Sequence, residues 1–199
     1  MKKQRQTIIT PLFVRVTHWL NAIAVVIMVM TGLKIYNASP IFEFTIPAAL
    51  TLGNWLGGAL LWHFAFMWLL VINGLGYLGF NFLTGRMRDK FFPLSFQKLV
   101  QDLLATLKGH LSHEDLSQYN TIQRLAYLFI ILDILVLVLS GLTIWKSVQF
   151  PLLRELMGGF DNARIVHFCA MAFATFFIVV HLVMVALVPK TLIIMIRGR

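Results

Sequence analysis

The sequence predicts an all-α integral membrane protein, a four-helix transmembrane bundle with both termini on the cytoplasmic side, and three observations predict it. Of the 199 residues, 59% are hydrophobic and only 13% charged, with a mean hydropathy of +0.81; a soluble domain carries about a quarter charged residues. The apolar residues gather into four runs, near 14–35, 52–80, 122–145 and 165–188, each long enough for the roughly 20 residues that cross a hydrocarbon core. Most of the basic residues fall outside those runs, and the few within them lie near a run's end. The net charge of +9 therefore reads as a topology signal and as contact with lipid headgroups. Membrane lipid is an expected partner and nucleic acid is not. One transmembrane domain accounts for residues 1–199. The single cysteine, Cys169, can form no internal disulfide and has no thiol partner for a metal site. It is expected as a small buried apolar residue of the fourth run.

The chain opens with Lys2, Lys3 and Arg5 ahead of the first run, an arrangement shared with signal peptides. This run is long enough to span and carries Arg15 and His18, so it reads as a retained first span. Lys and Arg set the orientation. Lys2, Lys3, Arg5 and Arg15 precede or open span one; Arg86, Arg88, Lys90, Lys98, Lys108 and Arg124 lie between spans two and three; Lys190, Arg197 and Arg199 follow span four. Those are thirteen of the 17 Lys and Arg residues, against Lys34, Lys146, Arg154 and Arg164 elsewhere. By the positive-inside rule both termini and the central connection are cytoplasmic.

That central connection contains Phe96, Leu99, Val100, Leu103, Leu104, Leu107 and Leu111 at helical spacing, with Gln97, Lys98, Gln101, Asp102 and Lys108 elsewhere around the turn. The pattern predicts an amphipathic helix on the inner membrane surface, or a face that docks on a partner or on the end of the bundle. The outer connections are 37–51 and 146–163. The first holds Pro40 and Pro47 among Ile41, Phe42, Phe44 and Ile46, a stretch suited to dipping into the interface or to presenting an apolar docking patch. No internal repeat and no low-complexity tract stand out.

Imidazoles are costly in lipid and mark sites there, and four of the six histidines lie in the spans. His167 and His181 are fourteen residues apart, almost four helical turns, so they share a face and stand roughly 21 Å apart along the axis. Orientation places His18 and His181 toward the cytoplasmic side and His63 and His167 toward the outer side. Two histidine pairs at two depths suggest two haems with bis-imidazole ligation, the metal ligands being His18 with His181 and His63 with His167. Zinc would want three or four ligands at one depth. Arg15 and Arg164 each precede a histidine by three residues, on the same face and toward the surface, where a guanidinium can pair with a haem propionate. The alternative is ordinary positive flanking. Gly32, Gly57, Gly58, Gly74, Gly76 and Gly141 could make room for a flat ring or could serve helix packing. Asp133, in mid-span, could relay protons or accept a hydrogen bond. His110 and His113 sit in a polar stretch and read as solvated, a weak surface metal site being the lesser alternative.

Arg15-Val-Thr-His18-Trp19, His63, and Arg164-Ile-Val-His167 with His181 resemble the bacterial cytochrome b561 and nickel-hydrogenase b-type cytochrome family over nearly the whole chain. That resemblance implies a four-helix haem core with two b haems in a bacterial inner membrane, and exchange of electrons with the quinone pool. Tyr119-Asn-Thr-Ile-Gln-Arg124 is similar to an element at the start of the third helix in such subunits, beside a quinone site. It implies that Asn120 and Gln123 contact quinone, although the same residues can form a helix capping box. Trp145 to Gln149, Gly158 to Arg164 and Val188 to Leu192 are similar to a subgroup paired with periplasmic molybdopterin oxidoreductases, which ranks such an enzyme above a hydrogenase as partner. The expected function is that of an electron-transfer subunit between a periplasmic partner and quinone, not a complete enzyme. The alternative is a stand-alone oxidoreductase that takes electrons from a small donor such as superoxide. A homo-oligomer is left open.

Overall fold

The structure, a computed structural model, describes residues 8–108 and 119–199; His110, Leu111 and His113 lie outside the described residues. Eight α-helices are present there: α1 (Leu12–Ala38), α2 (Leu56–Leu83), α3 (Arg86–Phe91), α4 (Phe96–Leu107), α5 (Thr121–Trp145), α6 (Pro151–Leu156), α7 (Phe160–Leu187) and α8 (Lys190–Arg197). By length and composition α1, α2, α5 and α7 can each cross a membrane. Helix α2 begins at Leu56, later than the apolar run alone suggests. The preceding Gly53 and Asn54 adopt positive φ of 110° and 56°, which an α-helix excludes, and the Leu52 amide is turned to the Met30 carbonyl at 3.1 Å. Helix α7 starts at Phe160, five residues before the apolar run, because the turn at Gly158 and Gly159 already releases the chain into helix.

The chain divides into two compact units, and each long helix contributes one stretch to each. The first unit comprises 8–18, 76–108, 119–131 and 177–199. Within it, Phe91 is only 2% exposed and packs against Tyr119 and Tyr127 at ring separations of 6.4 and 5.9 Å. Helix α4 is tied to the start of α5 by the Asp102 carboxylate, which accepts from the Thr121 amide at 2.7 Å. Its residues Phe96, Val100, Leu103 and Leu104 are exposed, as an amphipathic helix with one unpartnered apolar face requires. The carbonyl of Gly198 accepts from the amides of Ile9 and Thr10, so the end of α8 is fastened to the segment that leads into α1.

The second unit comprises 19–75 and 132–176. Its interior is built of small residues: Ala24, Thr31, Ala59, Ser140, Thr143 and Ala163 are all fully buried. Large apolar side chains such as Leu61, Trp68, Ile72 and Phe176 point outward. Lipid is as apolar as leucine, so helices gain by close backbone approach through small residues, not by hiding large ones. Cys169 follows this rule against expectation: it is exposed on α7, since an apolar side chain needs no shelter from lipid. The connection after α1 is folded, not extended. Asn37 brackets Ile46 with two hydrogen bonds of 2.8 Å, and Tyr36, Phe42 and Phe44 gather on Phe168 of α7.

The elements also reveal an internal repeat that composition hides. Val29-Met-Thr-Gly-Leu-Lys-Ile-Tyr36 near the end of α1 corresponds residue by residue to Val138-Leu-Ser-Gly-Leu-Thr-Ile-Trp145 at the end of α5. Helices α2 and α7 have 28 residues each, and in that register Ala59 matches Ala163, His63-Phe64 matches His167-Phe168, and Met67 matches Met171. The expectation of no repeat is thereby corrected. Only a few positions keep their identity, and the apolar remainder is interchangeable in lipid.

A Cβ at Gly53 would fall 2.9 Å from the Ala59 Cβ and closer still to its backbone. Gly53→Ala is therefore expected to destabilise the protein by about 1–3 kcal/mol, read as a lowered thermal unfolding midpoint in detergent. Gly74→Ala, where an added Cβ meets nothing within 4 Å, should leave the midpoint unchanged or raise it.

Candidate functional site

The four histidines of the spans meet in two pairs, one in each unit. In the first unit His18 of α1 faces His181 of α7, with ring centres 6.1 Å apart and planes at 62°. In the second, His63 of α2 faces His167 of α7 at 6.4 Å and 65°. Helix α7 thus supplies one member of each pair. Two imidazoles bound through one nitrogen each to opposite sides of a metal ion, at about 2 Å per bond, hold their ring centres about 6 Å apart. Both pairs have that spacing. Among the described residues no three His, Cys, Asp or Glu side chains converge, so each place offers two imidazoles, a donor set that fits haem iron.

The surroundings of the second pair are built to match. His63 Nδ1 lies 3.0 Å from Thr31 Oγ1, and His167 Nδ1 lies 2.9 Å from Ser140 Oγ. Each hydroxyl also donates up its own helix, Thr31 to the Ile27 carbonyl at 2.7 Å and Ser140 to the Val136 carbonyl at 2.6 Å. The next residue in each case is glycine. A Cβ at Gly32 would lie 3.5 Å from His63 Cε1, and one at Gly141 would lie 3.2 Å from His167 Cε1. Of the six glycines named from the sequence, these two lie against a histidine ring. Gly57 and Gly58 pack on Trp55, Gly76 faces Phe13, and Gly74 meets nothing.

The flanking arginines are positioned by backbone carbonyls. Arg15 donates to the Ile196 carbonyl at 2.5 Å, and Arg164 donates to the Ser39 carbonyl. Arg15 Nε is buried with no hydrogen-bond partner, an unmet donor in the unit that holds His18 and His181. Such a donor fits an anionic group like a propionate. Asn120 and Gln123 form a reciprocal capping box at the start of α5: Asn120 Oδ1 accepts from the Gln123 amide at 2.8 Å, and Gln123 Oε1 accepts from the Asn120 amide at 3.1 Å. Both carboxamides keep their NH2 groups for other contacts.

Two groups of polar residues were not legible beforehand. One is Thr31 with Ser140, for which the repeated hydroxyl-glycine pair was the available signal. The other is an aromatic cluster in the first unit. The Tyr119 and Tyr127 rings are 5.0 Å apart, and Tyr77 lies close enough to Tyr119 to feel its charge. Burial pushes the Tyr119 phenol above the usual tyrosine range, with the Arg86 guanidinium opposing, so it stays a neutral donor at neutral pH. Arg86 Nε is buried without a partner, as is Asp133 Oδ2 in the second unit.

An all-helical membrane chain with paired intramembrane imidazoles at haem-ligand spacing defines a membrane b-type cytochrome. The chain belongs to the prokaryotic cytochrome b561 family, whose description matches residues 9–198. It is 64% identical over 190 residues, 96% of each chain, to YedZ1 of Azospira oryzae, described as a proposed protein-methionine-sulfoxide reductase subunit. No solved structure matches it. Family membership makes it a multi-pass membrane protein that carries b-type haem and transfers electrons.

The packing of Gly141 on the His167 ring gives a direct check. Gly141→Val should lower the haem-to-protein ratio of the purified protein, measured by pyridine haemochrome absorbance. Gly79→Val, where an added Cβ meets nothing within 4 Å, should not.

Proposed function

We propose that the chain carries electrons across the bacterial inner membrane between quinone and a periplasmic oxidoreductase, using two b-type haems. The carrying observation is the pair of matched imidazole spacings, 6.1 and 6.4 Å. His18 and His181 hold one haem toward the cytoplasmic side and His63 and His167 the other toward the outer side. Bound haem supplies reversible one-electron chemistry, its potential set by ligands, hydrogen bonds and burial. The residues of the chain hold the rings in place, exclude water by burying each site among apolar helices, and offer cations at its edges. Arg15 and Arg164 serve the propionates.

The orientation follows the charge bias of the connections, which puts both termini in the cytoplasm. The partner is a periplasmic molybdopterin enzyme. The relative's description as a subunit of a protein-methionine-sulfoxide reductase supports a partner-dependent role over a stand-alone one, and it supports electron flow from quinol toward a reductase. Quinone meets the chain at the cytoplasmic side near Asn120 and Gln123, where the carboxamide NH2 groups, the Tyr119 hydroxyl and the unpartnered Nε of Arg86 are donors suited to quinone carbonyls.

A redox titration of the purified protein tests the core of the proposal. The wild type should bind two haems per chain, and His167→Ala and His18→Ala should each lose one, a different one. Loss of both from either single variant, or of neither, would contradict the pairing. Co-purification in mild detergent of a periplasmic oxidoreductase that the reduced cytochrome reoxidises supports the partner. Full quinone turnover with a small donor and no other protein would count against it.

A further inference from the structure

The repeat places the same two-residue device at two points in the fold, and both copies contact an imidazole. A hydroxyl has one proton. Thr31 Oγ1 directs its proton to the Ile27 carbonyl at 2.7 Å, with the Met28 carbonyl at 3.1 Å. Ser140 Oγ directs its proton to the Val136 carbonyl at 2.6 Å, with the Leu137 carbonyl at 3.2 Å. These contacts to the carbonyls one turn back are shorter than the contacts to the rings, 3.0 and 2.9 Å. Toward the ring each hydroxyl is therefore an acceptor, and the ring nitrogen that meets it must carry hydrogen. Both hydroxyls thus fix one tautomer, Nδ1–H, which leaves the lone pair on Nε2.

The glycine that follows each hydroxyl completes the device. It lets the ring edge come within van der Waals distance of the helix backbone, as the Cβ distances at Gly32 and Gly141 show. A hydroxyl fully buried in an apolar helix interior is costly without partners. Here it is satisfied along its own helix, so it stays fixed in direction whether or not the ring is present.

We infer that Thr31 and Ser140 are positioning residues that hold His63 and His167 in the Nδ1–H tautomer, with Nε2 presented to iron, and that they raise the electron donation of both rings. The inference rests on the reading of His63 and His167 as ligands of one haem. A ring that donates Nδ1–H to a polarised hydroxyl is a more basic ligand and favours the ferric state. Removing the acceptor should weaken haem binding at this site and raise its midpoint potential.

The test uses the full chain purified in detergent. Thr31→Val and Ser140→Ala, singly and together, should weaken haem retention at one of the two sites about 10- to 100-fold, shift that site's midpoint potential upward, and change its low-spin ferric EPR signal. Thr31→Ser and Ser140→Thr should restore all three. Nitrogen-15 NMR of histidine-labelled, haem-depleted wild type should show His63 and His167 protonated at Nδ1, a result independent of how the variants fold. Protonation at Nε2 would overturn the inference, as would wild-type affinity, potential and EPR in the Thr31→Val/Ser140→Ala protein. His63→Ala separates the two levels. If it loses one haem while the hydroxyl variants change nothing, the ligand reading stands and the positioning role falls. If it keeps full haem content, the ligand reading itself fails.

Discussion

An imidazole held in a hydrocarbon environment must have both nitrogens spoken for, and this constraint organises the chain. One nitrogen must stay open if the ring is to bind a metal ion. The other must give its hydrogen to something, and within a bundle the acceptor has to come from a neighbouring helix. In the second unit the acceptors are Thr31 and Ser140, which are themselves completed by carbonyls one turn back. Those hydroxyls require small neighbours, hence Gly32 and Gly141, and an interior of alanine and threonine that lets the helices approach closely. Packing, polarity and cofactor chemistry are thus three consequences of one need.

The fold and the histidine sorting were legible because they rest on strong signals. A run of some twenty apolar residues has few soluble alternatives, and an intramembrane histidine is rare enough to be informative alone. Pairing His18 with His181 and His63 with His167 needed only depth, which the charge bias supplied, and the structure brings the same rings together. The capping box at Asn120 and Gln123 was legible because its four-residue pattern is local. What was hidden depended on contacts between distant segments. A serine or threonine in an apolar run looks like any other small packing residue, and only the facing ring gives it a role. Cys169 was misplaced for a related reason: the habit of burying apolar residues belongs to water, and this chain is solvated by lipid.

The repeat adds a contrast between the two ends of the long helices. Toward the second unit the halves agree: hydroxyl, glycine and histidine recur at corresponding places. Toward the first they diverge. In the register that matches His63 with His167, His181 corresponds to Tyr77, and in the register that matches Thr31 with Ser140, His18 corresponds to Tyr127. Each half thus presents one imidazole where the other presents a phenol, and Tyr127 packs with Tyr119 and Phe91.

That divergence follows from what each end has to do. A pair drawn from equivalent positions of the two halves can be served symmetrically, so His63 and His167 keep equivalent surroundings. His18 and His181 come from non-equivalent positions of the two halves, and a symmetric chain would repeat that pair as a second one from Tyr127 and Tyr77. Phenols do not substitute there: a neutral tyrosine is a weak ligand for iron, and its hydroxyl is a hydrogen-bond donor and acceptor in its own right. The replacement leaves the first unit with one imidazole pair and, in place of the second, a buried group of phenols beside the unpartnered Nε of Arg86. Breaking the repeat at one end alone is what allows one short chain to combine a symmetric imidazole pair with a separate buried group of phenols.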